Sequence, residues 1–172
     1  MNYATIKPYD IANGPGVRVS LFVSGCPHHC PGCFNQETWD FAYGQPYGKK
    51  TEEAVLSALA PSYIKGFSLL GGEPFAPENQ AELLPLVKAV RRTYPQKTIW
   101  AYSGYLWEQL LERDGTDGLL PYLDVLVDGR FLEAQKDLNL RFRGSANQRI
   151  LDVPTSLQQG CAVPWTDPRD KR

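Results

Sequence analysis

Apolar and polar positions change period along the chain, and the changes mark short buried strands alternating with amphipathic helices. Residues 17–24 (VRVSLFVS) are β-branched and apolar in a run too short for an ordinary helix, and the run stops at Gly25. This predicts a buried strand whose end delivers Cys26. Thr51, Glu52 and Glu53 precede AVLSALA, giving a capping residue, acids in the first turn and an apolar stripe, hence a helix. Residues 66–70 (GFSLL) predict a second strand, stopped by Gly71 and Gly72, and Pro77 opens a helix through ENQAELLPLVKAVRRTY that Pro85 is expected to kink. A strand near 98–102, a short helix over about 105–112 and a strand over 123–127, ahead of Asp128-Gly129, complete the pattern. Phe22, Trp100 and Phe131 are expected in the core.

Strand, loop and helix thus repeat, which predicts an α/β fold of parallel strands joined by crossover helices, as an open sheet or part of a barrel. In both architectures ligands collect at the carboxyl ends of the strands. The distinctive segments follow those ends: GCPHHCPGC, GGEP, SGY and DGRF. Four loops are therefore expected to face one site. With 172 residues the chain falls short of the ~250 of a complete eight-unit barrel. A single-domain, partial and open β/α barrel is the expectation, spanning 1–172, with its core at about 11–152 and a tail at 153–172 that matches no motif. Its open side would admit a loop of another protein.

Charge and composition narrow the function. Lys and Arg total 18 against 19 for Asp and Glu, so no basic field exists to neutralise phosphates, and nucleic acid is not expected as a partner. The start MNYATIKPYD has no secretion-signal pattern, and no apolar run approaches the ~18 residues of a membrane span. The expectation is a soluble cytoplasmic protein with no membrane partner.

Three of the four cysteines, Cys26, Cys30 and Cys33, lie within eight residues, which in a reducing compartment points to metal or redox chemistry rather than disulfides. Gly25, Pro27, Pro31 and Gly32 can wrap this loop around a compact object. Three thiolates without a matching fourth suit a 4Fe-4S cluster that leaves one iron free to bind a substrate. The alternative is zinc, with His28, His29 or Cys161 as fourth ligand. His28 and His29 read more naturally as surface groups or neighbours of the ligands, and Cys161, in GCAVPW, as a packing thiol outside the site. Gly71 and Gly72 let a ligand touch backbone, Glu73 supplies a carboxylate for a cationic group, and Pro74 holds Glu73 extended. S-adenosylmethionine carries an amino and a carboxyl group that can chelate an open iron, with Glu73 accepting from its ammonium. Ser103, Asp128 and Arg130 also follow strand ends, either contacting such a cofactor or partner or serving as cap and turn residues.

These motifs resemble the radical S-adenosylmethionine superfamily, whose signature is C-x-x-x-C-x-x-C followed by a GGE loop. More narrowly, NGPGVRVSLFVSGCPHHCPGCFN, GGEP, YSGY, VDGRF and RFRGSANQRILD resemble the activating proteins of anaerobic ribonucleoside-triphosphate reductases, from about Ile11 to Asp152. Gly32 stands where many superfamily members carry an aromatic, and a glycine there is expected in this branch. The resemblance implies a radical-SAM type fold, a 4Fe-4S cluster on Cys26, Cys30 and Cys33, and S-adenosylmethionine on the free iron with its amino group at Gly71, Gly72 and Glu73. It implies reductive cleavage to a 5'-deoxyadenosyl radical that takes hydrogen from a glycine of the reductase large subunit. A low-potential electron donor such as a flavodoxin, and a homodimer, are further expectations. Activation of another glycyl-radical enzyme of the formate-lyase type, or a zinc-bound interaction module without chemistry, are the competing readings.

Overall fold

The computed structural model describes residues 1–115 and 117–167. Among them, seven strands form one sheet: β1 (Asn2–Asp10), β2 (Val17–Val23), β3 (Gln45–Pro46), β4 (Ile64–Gly71), β5 (Thr98–Ser103), β6 (Val125–Asp128) and β7 (Arg149–Asp152). The helices are α1 (Lys49–Leu59), α2 (Pro77–Thr93), α3 (Trp107–Asp114) and α4 (Val153–Gln159). Strand order is β3-β1-β2-β4-β5-β6-β7, with β3 and β7 at the two edges.

The four strands expected from apolar runs form the parallel centre, β2-β4-β5-β6. The expectation of parallel strands throughout is corrected at the flanks, where β1, β3 and β7 run antiparallel. Connection length explains this for β1, and the lack of a crossover helix for β7. A parallel return needs a crossover of a dozen or more residues, usually helical, whereas β1 reaches β2 through the short 11–16 turn. The 129–148 link before β7 holds only a 3-10 turn at Glu133–Gln135.

Alternation along the strands divides the sheet into two faces. Val19, Leu21, Phe67, Leu69, Ile99 and Leu126 pack against the inward stripes of the helices, including Val55, Leu83, Val90, Trp107 and Leu110, in one buried cluster. The intervening positions turn to the opposite face. There Trp100, fully buried as expected, makes edge contacts with Phe142 and Trp165 at 5.4 and 5.0 Å. The carboxyl-terminal part of that same face forms the cleft described below.

Local chemistry sets the helix boundaries. α1 starts earlier than expected, with Gly48 at the cap and Thr51 in the third helical position, where its hydroxyl accepts from the Gly48 N–H at 3.3 Å. α2 runs through Pro85 to Thr93. α3 begins at Trp107 because the Asp128 carboxylate accepts its N–H at 2.7 Å. The segment after Asp152, expected as a tail, forms α4. The Asp152 side chain caps it through Thr155 N at 2.8 Å, and Val153 and Ser156 are buried. Residues 168–172 of that expected tail lie outside the described residues. No helix among the described residues is long and apolar enough to cross a membrane.

Candidate functional site

The chain leaves β2 into the cysteine loop, which is anchored where Gly25 and Cys26 donate N–H bonds to the carbonyls of Thr38 and Trp39, at 2.8 and 3.1 Å. A turn closes with Cys33 N donating to Cys30 O at 3.1 Å, and Asn35 N donates to the Cys33 sulfur at 3.4 Å. His29 adopts the left-handed region at φ 48° and stacks on Trp39 with ring centroids 4.8 Å apart. Cys26, Cys30 and Cys33 are partly buried and line a cleft of about 420 Å³, together with Gly71, Gly72, Glu73, Ser103, Gly104 and Gly129. The four strand-end loops do meet at one place. Burial pushes the Cys26 thiol up to about 11, backbone N–H groups of His28 and His29 oppose this, and the Glu73 carboxylate adds to it. Burial likewise raises Cys30. Cys161 is exposed and does not line the cleft.

Glu73 is the hub of the loops. Its side chain is fully buried, and each oxygen accepts two bonds. Oε1 takes Phe75 N at 3.0 Å and the Ser103 hydroxyl at 2.9 Å, while Oε2 takes Gly104 N and His28 Nε2, each at 2.8 Å. One carboxylate thereby ties the cysteine loop, its own loop and the loop after β5. Asn79, fully buried on α2, reinforces this by donating from its side-chain amide to the carbonyls of Ser24, Gly25 and Glu73 at 2.9, 3.3 and 3.0 Å. Backbone approach explains the glycines. A Cβ on Gly71, at φ 107°, would lie 2.7 Å from Val23 N and O, and one on Gly72 would lie 2.5 Å from Gly25 O. The bare positions are therefore filled first by the neighbouring strand, and the outer side of their backbone faces the cleft.

The remaining expected residues separate. Ser103 lines the cleft, but its hydroxyl donates to Glu73 and accepts from Tyr105 N at 3.0 Å. Asp128 is completely buried, caps α3 and pairs with Arg149, with Nε to Oδ1 at 2.9 Å and a second bond to Oδ2 at 2.5 Å. Asp128 and Arg130 do not line the cleft, and Pro74 is buried behind it. Phe22 and Phe131, expected as core, do line it. His28, expected at the surface or beside the ligands, lies beside them in the cleft, while Asn79, Tyr102 and a strap over 137–148 that forms one wall were not anticipated from the sequence. The signal for the strap was present in GSANQR. Gln148 accepts from Gly144 N at 2.9 Å and donates to Gly129 O at 3.0 Å, which folds that segment back onto the loop after β6.

The sheet is parallel at its centre, and the three thiols line a cleft at its carboxyl edge. A family model described as a 4Fe-4S single cluster domain matches residues 12–151. Proteins named anaerobic ribonucleoside-triphosphate reductase-activating protein are similar over 87% of this chain: 47% identical in Vibrio cholerae and 44% in Escherichia coli, covering 97% of each. The protein of that name from Enterobacteria phage T4 is 42% identical, with 93% of it covered. The chain belongs to the family of anaerobic ribonucleoside-triphosphate reductase-activating proteins.

Proposed function

We infer that this chain is a radical S-adenosylmethionine enzyme that installs a glycyl radical on an anaerobic ribonucleoside-triphosphate reductase. The observation that carries this reading is the shared cleft: three thiols and the Gly71-Gly72-Glu73 loop line the same cavity of about 420 Å³. Cys26, Cys30 and Cys33 would hold the 4Fe-4S cluster. Soft thiolates are the donors such clusters take, and an N–H donor already points at the Cys33 sulfur. Held there, such a cluster would supply the one-electron reduction that splits S-adenosylmethionine into methionine and a 5'-deoxyadenosyl radical able to take a hydrogen atom from the target glycine. A structural zinc, as in an interaction module without chemistry, would need a fourth protein ligand. His28 has its Nε2 committed to Glu73, His29 is stacked on Trp39, and Cys161 lies outside the cleft.

The protein's own residues position and shield. Gly71 and Gly72 line the cleft where the amino acid end of the cofactor would lie, the Gly72 N–H being held by the Val23 carbonyl at 2.7 Å. Glu73 fixes that loop and would add negative charge beside the ammonium, and the strap over 137–148 forms one wall of the cleft. The linear strand order, with helices on one face and the cleft on the other, supports an open partial barrel with room for a protein loop. Each turnover consumes one external electron, which suits a low-potential donor such as a flavodoxin.

Anaerobically reconstituted protein, mixed with reductant, S-adenosylmethionine and the reductase large subunit, is expected to give a glycyl-radical signal by electron paramagnetic resonance and to release 5'-deoxyadenosine. Cofactor cleavage without any radical on the reductase, and radical formation on a formate-lyase instead, would assign a different partner.

A further inference from the structure

Tyr102, the residue before the Ser103 loop, carries a hydroxyl that is buried and has no hydrogen-bond partner, although its side chain lines the cleft. Buried donors are almost always paired, so an orphan in a cavity wall calls for a partner from outside. Parallel register sets Phe22 beside Leu70 and Tyr102 beside Val127, one residue short of the points where the functional loops depart. Phe22, Leu70 and Tyr102 all line the cleft, and the Tyr102 hydroxyl is the polar group that this row presents.

The surroundings of the phenol say which ligand meets it. Burial raises its pKa, Arg18 offsets part of that, and Asp10 adds to it, so the group stays a neutral O–H donor. Arg18 and Asp10 are paired residues at the start of β2, the end away from Cys26. Both are already engaged: Arg18 donates to Ser68, Thr98 and the Phe67 carbonyl, and Asp10 accepts from Ala12, Asn13 and Ser20. Ala12 and Asn13, which bond to Asp10, line the end of the cleft away from the cysteine and Glu73 loops, the part that a cofactor held at those loops would leave to the second substrate. A glycine-bearing backbone suits that space. It has no side chain to clash with Phe22 and Leu70, and it offers carbonyl acceptors.

We propose that the Tyr102 hydroxyl donates a hydrogen bond to a backbone carbonyl of the glycine-bearing polypeptide loop and so places its Cα–H for hydrogen transfer. This rests on the activase reading above, and the test separates the two. Tyr102→Phe removes the hydroxyl and keeps the ring. The variant should retain its iron content, its affinity for S-adenosylmethionine and its thermal midpoint. With the reductase as substrate, its kcat/KM for glycyl-radical formation should fall about tenfold, the size of one lost hydrogen bond. Equal loss of cofactor affinity would assign the hydroxyl to the cofactor and overturn the proposal, as would unaltered radical transfer. A lowered thermal midpoint would place its partner within the protein and overturn it too. Failure of the unmodified protein to form the glycyl radical would instead remove the activase reading itself.

Discussion

Glu73 draws its four donors from sequence separations as large as 45 residues, His28 on one side and Ser103 and Gly104 on the other. Replacing one oxygen by an amide sets N–H against N–H on that side, so Glu73→Gln should cost about 2 to 3 kcal/mol of stability. For a chain of this size that lowers the thermal midpoint by several degrees. It should also weaken S-adenosylmethionine binding by roughly tenfold or more while cluster iron is retained, as equilibrium binding will measure. Unchanged affinity would restrict Glu73 to holding the loops. The cysteines permit a simpler test. Changing Cys26, Cys30 or Cys33 to Ala should each abolish bound iron, whereas Cys161→Ala, altering an exposed thiol, should leave it. These residues were legible because thiol spacing is a local signal. The saturation of Glu73, and the duties of His28 and Asn79, were not, because their partners come from loops that only the fold brings together.

At the scale of elements, the strap and the loop after β6 depend on Asp128. It caps α3 through Trp107 N and holds Arg149 at the start of β7, so one carboxylate fixes two elements. Loss of the cap costs about 1 kcal/mol. Loss of the ion pair adds a similar amount, discounted because Arg149 is 38% exposed and keeps Glu108 as a partner. Asp128→Ala should therefore destabilise by about 2 kcal/mol in chemical denaturation and leave bound iron nearly intact. A larger loss of cofactor affinity than of stability would return Asp128 to the binding site. The sequence disclosed β2, β4, β5 and β6 because buried parallel strands read as short apolar runs. It concealed β1, whose residues are largely half-buried or exposed and include Pro8, and the two-residue β3. It concealed β7 and α4 for another reason: Arg149 and Asp152 look like polar loop residues until Asp128 and the α4 cap claim them.

Across the whole molecule, one sheet face is covered by helices and the other carries the cleft, so the three thiols and the open cleft share one side. That division follows from β-strand alternation: residues of one parity build the apolar cluster, and those of the other supply the cleft floor. The central claim is that three thiolates on this side hold a 4Fe-4S cluster with one iron open to S-adenosylmethionine. The most direct measurement is electron paramagnetic resonance of the anaerobically reconstituted, reduced protein before and after addition of S-adenosylmethionine, alongside iron and sulfide analysis. The account predicts close to four irons and four sulfides per chain, as in a single 4Fe-4S cluster domain, and a cluster signal that changes shape when the cofactor is added. Protein that takes up no iron, or a cluster spectrum that the cofactor leaves untouched, would contradict it.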